Sequence, residues 1–277
     1  MQKIYQELNL QNVKPEIIRQ IIQLSFLKVI RKDAIQANHQ MTPDTIGLIM
    51  AFLIEKVTKI KEIKTVFDPA VGTANLLTTV MNQLKVNGDK DIVGYGIDND
   101  EDMLEVTSVS TELQHLNVKL YHQDAVTALG IPQCDLAISD LPIGYYPLDE
   151  NAKNYQTRAK EGHSYVHHLL IEQSMNYLKP GAFGVFLVPS SLFQTKESQS
   201  FVKWIQSVAY LQGLINLPAE LFANPNAQKS ILLLQRQGGD SKQAVKVLLG
   251  EFPSFKDKAK FASFMDDISK WVTTNLR

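Results

Sequence analysis

Apolar positions along this chain follow two different periods, and from Lys64 onward the two alternate. Short runs rich in β-branched and aromatic residues near 65–68, 92–97, 118–122, 134–139, 182–188, 213–217 and 230–235 read as strands. Most of the stretches between them carry helical spacing. This alternation predicts an α/β fold with a mostly parallel sheet covered on both faces. The helix near 166–178 is expected to stop at Lys179-Pro180-Gly181, a run at 244–249 to add an edge strand, and 256–276 to form a closing helix. Ahead of these elements, Ile17, Ile18, Ile21, Ile22, Phe26 and Ile30 recur at helical spacing over 15–31. After the polar stretch 31–40 a second helix is signalled by Thr42 as N-cap, Pro43 at the first helical position and Asp44 in the first turn. Its apolar stripe is Ile46, Ile49, Met50, Leu53, Val57 and Ile60. The chain therefore divides into a small helical N-terminal unit over 1–40 and an α/β domain over 41–277.

The most informative stretch is Thr65 to Leu77, read as strand, tight loop and helix start, the place where open α/β sheets bind nucleotides. Gly72 allows close approach of a ligand where a Cβ would intrude. Neither G-x-G-x-x-G nor G-K-[ST] is present, so the dinucleotide and triphosphate loops are excluded. Asp68, at the end of the strand, would repel a phosphate. It suits a ligand with positive charge or with amine and hydroxyl donors, a description that S-adenosylmethionine (SAM) meets. Asp98 ends the second strand, where a carboxylate can accept from both ribose hydroxyls, and Asp124 follows the third, within reach of an adenine amino group. Singly, each acid would be an ordinary strand-end or cap residue; together, after a glycine loop, they form a pattern. The fourth strand runs into Ser139-Asp140-Leu141-Pro142-Ile143-Gly144-Tyr145-Tyr146. Pro142 and Gly144 force irregular backbone there, so the Asp140 carboxylate and main-chain carbonyls could grip both hydrogens of an amine.

Composition changes this picture little. With 277 residues, 44% hydrophobic and 21% charged, the chain is long enough for a large core. A net charge of −1 lacks the basic excess usual for nonspecific DNA binding. Lys56, Lys59, Lys61 and Lys64 read as a solvated helix end. The single cysteine, Cys134, excludes an internal disulfide and reads as a buried structural thiol. No apolar run reaches membrane length and the first residues hold no signal-peptide core, so no membrane partner and a cytoplasmic location are expected. His167 and His168 are adjacent on a helix and His163 lies in a loop, so no metal site is expected. Tyr155, Arg158 and Lys160 read as a solvated loop.

In the order and content of its motifs the chain resembles the class I SAM-dependent methyltransferases. Within them it is similar to the N6-adenine DNA methyltransferases, notably the modification subunits of type I restriction systems. The residues that carry the likeness are His39-Gln-Met-Thr-Pro43, Asp68-Pro-Ala-Val-Gly-Thr-Ala74, Asp98, Asp124, Leu178-Lys-Pro-Gly181 running to Val188-Pro189, and Leu214-Ile-Asn-Leu-Pro218 with Leu221-Phe222. The likeness spans about 38–237. It implies a Rossmann-like methyltransferase fold with a mostly parallel seven-stranded sheet, and SAM as cofactor. The contacts it implies to SAM are Met41, Thr42, Asp68, Ala70, Gly72, Thr73, Asn75, Leu76, Asp98, Asn99, Asp124, Ala125 and Asp140. Asp140, Leu141 and Pro142 take the catalytic positions, and Ile143, Tyr145 and Tyr146 the substrate side.

Two departures narrow what the likeness implies. Ala74 replaces the last glycine of the loop, and the family's Asn/Asp-Pro-Pro-Tyr/Phe is here Asp140-Leu-Pro-Ile143, without its stacking aromatic. By resemblance the acceptor is adenine N6 in DNA, reached alone or through a partner subunit. Methyl transfer to RNA, protein or a small molecule, and a non-catalytic SAM-binding scaffold, stay open as alternatives. So does the oligomeric state.

Overall fold

The structure, a computed structural model, describes residues 13–33, 41–88, 91–222 and 227–276, with side chains omitted for 29–33. The segments 1–12 and 34–40, and with them His39, Gln40 and the end of the proposed N-terminal unit, lie outside the described residues, as does the Ile30 side chain.

Helix α1 (Pro15–Asp33) and helix α2 (Asp44–Val57) precede a sheet of eight strands. These are β1 (Thr65–Asp68), β2 (Val93–Asp98), β3 (Asn117–His122), β4 (Cys134–Asp140), β5 (Leu178–Pro189), β6 (Ala209–Asn216), β7 (Lys229–Arg236) and β8 (Leu248–Glu251). Between them run α3 (Asn75–Asn87), α4 (Glu101–Leu113), the short α5 (Asp149–Ala152), α6 (Val166–Asn176) and α7 (Ser198–Val208); α8 (Lys258–Asn275) closes the described chain. The strand order is β3-β2-β1-β4-β5-β7-β6-β8, and β7 alone runs against its neighbours. The order reverses between β1 and β4, and this switch point opens a crevice at the strands' carboxyl ends.

Alternation along each strand sends side chains to two cores. Val66, Leu136, Ile138, Val185, Leu187 and Leu233 meet α2, α3 and α8 on one face. Phe67, Ala137, Phe186, Leu232 and Leu234 meet α6 and α7 on the other. Gly94 and Gly96 in β2 are packing glycines: a Cβ at Gly94 would stand 2.9 Å from Met81 Sδ, and one at Gly96 would stand 3.0 Å from Val71 and Leu120 side-chain carbons.

Several element boundaries differ from the sequence expectation. Lys179-Pro180-Gly181 does not end a helix against a separate strand; α6 stops at Asn176, and these residues already belong to β5. Pro180 is tolerated because β5 pairs through Leu178 and then from Phe183 on, past a register shift in its pairing with β4. Strand β6 begins at Ala209, and the late edge strand lies at 248–251 instead of 244–249. Ala244 is instead held by the buried Gln212 amide, 2.8 Å away. Thr42 does not cap α2: the helix starts at Asp44 with no side-chain cap, and the threonine hydroxyl is used elsewhere.

Only part of the predicted stripe on α1 is buried. Ile18, Arg19 and Phe26 face the domain, while Ile17 and Ile21 are exposed. The helix lies against α3 and α4, and its polar anchor is Arg19, 4% exposed, whose guanidinium donates two hydrogen bonds of 3.1 Å to Asp44. Burial pushes the Asp44 carboxyl up, but Arg19, Asn75 and Gln23 together carry it below the usual range. Removing one member of a buried ion pair leaves the other uncompensated. Arg19→Ala is therefore expected to cost about 3 kcal/mol in urea unfolding, against less than about 1 kcal/mol for Lys28→Ala on the exposed side of the same helix.

Candidate active site

Three acids meet at the switch point, each at the last residue of its strand. Asp68 ends β1, Asp98 ends β2 and Asp140 ends β4. Asp68 is buried; its Oδ1 accepts from Ser139 Oγ at 2.7 Å and from the Ala70 amide at 3.1 Å. Burial pushes its carboxyl up to about 7, and the charges of Asp98 and Asp140 add to that rise. Asp98 is also raised, chiefly by burial, although it accepts from the Gly72 amide at 2.7 Å and from the Asp100 amide at 3.0 Å. A carboxylate has about four lone-pair positions, so Asp98 keeps acceptor capacity beyond these two bonds.

The loop between Asp68 and α3 is shaped by two left-handed residues. Gly72 has φ 51° and Ala74 has φ 58°. A Cβ on Gly72 would meet nothing within 4 Å, so the glycine borders open space at the mouth of the crevice. Ala74 keeps a conformation that the family's glycine adopts freely. It is fully buried, and its methyl carbon packs in the core beside Leu77. Thr107 on α4 donates to the Gly72 carbonyl at 2.6 Å, locking the loop from behind. Asn75, the first residue of α3, donates to the Thr42 carbonyl at 2.6 Å and to Asp44 at 3.0 Å. The segment before α2 is thereby tied to the glycine loop.

Asp140 is where these connections end. Thr42 Oγ1 donates to its Oδ2 at 2.8 Å, and the Lys229 ammonium pairs with its Oδ1. Leu141 is buried and donates its amide to the Leu187 carbonyl at 3.1 Å, continuing the β4–β5 ladder, while Pro142 and Ile143 are exposed. Gly144 has φ 145°. Beyond it, Tyr145 is 63% exposed and stacks on Tyr165, ring centres 4.9 Å apart. Tyr165 in turn touches His167 and His168, and His168 stacks on Phe201 at 4.1 Å. Both histidines are buried; the His168 ring nitrogens make no hydrogen bond, and the His167 ring lies against the Pro142 backbone. Burial holds them neutral, His167 down to about 4 with the Lys229 charge contributing, and His168 down to about 3.

The fourth acid lies slightly apart. Asp124, after β3, accepts from the Val126 amide at 2.9 Å, from Asn151 at 3.2 Å and from the Tyr146 hydroxyl in a short bond. Burial, then Asp124, pushes the Tyr146 phenol up to about 12. Tyr146, expected on the substrate side, is 5% exposed and donates its hydroxyl to Asp124. Of the remaining expected contacts, Thr73, Asn75, Leu76 and Ala125 are buried, Met41 and Ala70 are half-buried, and Asn99 is exposed at the rim. A recess of about 610 Å³ opens on the far side of Asn151, lined by Thr127, Tyr155, Glu172 and Gln173 among others; none of the four acids lines it. Lys229, Tyr165, Ser139 and Thr107 were not singled out from the sequence. Their positions carry no motif, and only strand pairing and helix packing bring them to the site.

Known proteins resemble the chain along most of its length. The family described as N-6 DNA Methylase matches residues 27–273. The protein YtxK of Bacillus subtilis (strain 168) is 37% identical over 256 residues, 92% of this chain and 77% of that protein. A solved structure from Listeria monocytogenes, described as a candidate class I S-adenosylmethionine-dependent methyltransferase, is 44% identical. It superposes with a TM-score of 0.89 over 97% of this chain and 82% of that one. A modification subunit of a type I restriction enzyme candidate from Vibrio vulnificus YJ016 shares 16% identity, with a TM-score of 0.72 over 95% of this chain and 59% of its own; at that identity the likeness is one of fold.

Asp68 offers a direct test of the crowding of acids. Its folded pKa, about 7, lies above the ordinary 3.8, so the folded state holds the proton more tightly than the unfolded chain does. Its contribution to stability is thus most favourable below about pH 4 and is lost as pH rises towards 7. In Asp68→Asn the amide oxygen can still accept from Ser139 and Ala70. The stability of this variant relative to wild type should rise between pH 5 and pH 8 by on the order of 3 kcal/mol, read from denaturant unfolding at each pH. A pH-independent difference would mean that Asp68 is not strained by burial and by its neighbours.

Proposed function

This chain belongs to the N-6 DNA methylase family and is a SAM-dependent methyltransferase with a Rossmann-like fold. From that premise we propose that the acids at the switch point hold SAM and that Asp140 orients the acceptor nitrogen, with adenine N6 in a nucleic acid as the default acceptor. The observation that carries this reading is the meeting of Asp68, Asp98 and Asp140 beside the open face of Gly72, where the first of them is raised partly by the other two. A crevice with negative charge in excess is complementary to a cation. SAM, when bound, supplies an electrophilic methyl group on a positively charged sulfur.

Every other role falls to the chain's own residues. Asp98 uses its spare lone pairs for the ribose hydroxyls, and Asp124, screened by Tyr146 and Asn151, borders the adenine. Asp68, with Gly72, Thr73 and the Thr42–Asn75 tie, lines the amino-acid end. Asp140 and the Leu141 carbonyl accept the two hydrogens of the acceptor amine. This draws the nitrogen towards a pyramidal shape and aims its lone pair along the line of transfer. Pro142 holds that turn rigid. Tyr145, backed by Tyr165, presents a flat exposed face next to the motif, where Ile143 offers none. A stacked base gains roughly 1–3 kcal/mol on such a surface.

Two variants test the two halves of the site. Asp98→Ala should weaken binding of SAM and S-adenosylhomocysteine by about 10-fold or more in calorimetry, the worth of hydrogen bonds to a charged group. Asp140→Ala should leave S-adenosylhomocysteine binding within a few-fold while lowering labelled methyl transfer by about 100-fold. Acceptors offered should be DNA, RNA and cell extract, so that the labelled product identifies the acceptor. Equal transfer by wild type and Asp140→Ala would remove Asp140 from the chemistry. Gly72→Ala should cost about 1 kcal/mol of stability through its left-handed backbone, and it should weaken SAM binding by more than that, because the new methyl group points into the crevice.

A further inference from the structure

Lys229 is the one cation paired with a site acid among the described residues. It reaches Asp140 because β7 runs against the other strands, so that its first residue lies at the sheet end where they finish. Lys229 pairs with Pro189, the last residue of β5, just as Asp140 at the end of β4 pairs with Leu187. The backbone of Lys229 is fixed on both sides. Its carbonyl accepts from the Leu217 amide at 3.0 Å, and the preceding Gln228 carbonyl accepts from Ser190 at 2.9 Å. Both groups of the ion pair are largely buried, 22% exposed for Lys229 and 19% for Asp140. Among the described residues His167, held neutral by burial, also feels the ammonium's charge, and Asp68 lies within electrostatic reach of Asp140. With Thr42 on Oδ2 and Lys229 on Oδ1, each oxygen of Asp140 already has a donor.

We propose that Lys229 is a specificity-determining gate on Asp140: its ammonium occupies the Oδ1 side of the carboxylate, the place of the acceptor amine, and an acceptor that takes that side must displace it. The proposal rests on the assignment of Asp140 to the acceptor side. It goes further in identifying the residue that decides which amines reach that acid. An amine that enters must exchange for a charge-assisted bond of a largely buried pair, which costs more than a neutral hydrogen bond. Weak acceptors are therefore excluded while the cofactor end of the site stays intact.

The experiment needs no knowledge of the natural acceptor. Sinefungin carries an amine on the carbon that replaces the methylated sulfur of SAM, whereas S-adenosylhomocysteine has only the sulfur there. Calorimetry on wild type, Lys229→Met, Lys229→Gln and Lys229→Arg measures the ratio of their dissociation constants. In wild type and Lys229→Arg the amine meets a resident cation, so sinefungin gains little over S-adenosylhomocysteine. In Lys229→Met, and to a smaller extent in Lys229→Gln, Asp140 is free to take the amine, and the ratio should move at least 10-fold in favour of sinefungin. Adding Asp140→Asn to Lys229→Met should cancel the gain. A purely structural lysine would shift both ligands alike, so a ratio within 2-fold of wild type in Lys229→Met overturns the gate. If neither ligand binds any of the proteins, the assignment of the crevice to SAM falls first and the gate falls with it.

Discussion

Everything at this site depends on where Asp140 is held. Its carboxylate receives a hydroxyl from Thr42, ahead of the sheet, and an ammonium from Lys229, near the end of it. Through Thr42 and Asn75 the same network reaches Asp44 and then the buried Arg19 of α1. A single chain of charged and polar contacts thus links the first described helix to the strand end that carries the methyltransferase motif. Polar groups this far from water persist only when each has its partner, which makes the network specific as well as costly to break.

The fold sets the electrostatic problem that this network answers. A doubly wound sheet brings the ends of β1, β2 and β4 side by side, and this sequence places a carboxylate on each. Burial raises both Asp68 and Asp98, and the charges of Asp98 and Asp140 add to the rise of Asp68. Backbone amides from Ala70, Gly72 and Asp100 and the Ser139 hydroxyl offset part of it. The rest is an affinity for positive charge. On the proposed reading a cationic cofactor meets that affinity at one end of the crevice, and Lys229 meets it at the Asp140 end.

The altered motif becomes intelligible in this setting. Leu141 stands where the family has a proline, and its free amide continues the β4–β5 ladder. Ile143 is exposed and offers no aromatic face, but the Tyr145–Tyr165 pair, bridged through their backbones, places a stacked aromatic surface two residues further on. The buried, neutral histidines behind Tyr165 fill space between that surface and Phe201.

By itself, the sequence determined the alternating strands and helices, the absence of phosphate-binding loops, and the acids at 68, 98, 124 and 140. These rest on local signals: side-chain period, turn residues, and a carboxylate where an apolar run stops. It also predicted Cys134 correctly as a buried thiol, since a cysteine inside a strand pattern has nowhere else to go. Only the tertiary structure decided how those acids are shared. Thr42 has the local signature of a helix cap, yet donates to an acid far along the chain. Tyr146 has the position of a substrate contact, yet closes on Asp124. Lys229 begins a strand whose period is the same whichever way it runs, and only its antiparallel pairing with β5 delivers the ammonium to Asp140. Period and propensity are properties of neighbours in sequence; strand direction and the partner of a buried charge are settled by residues brought together across the sheet.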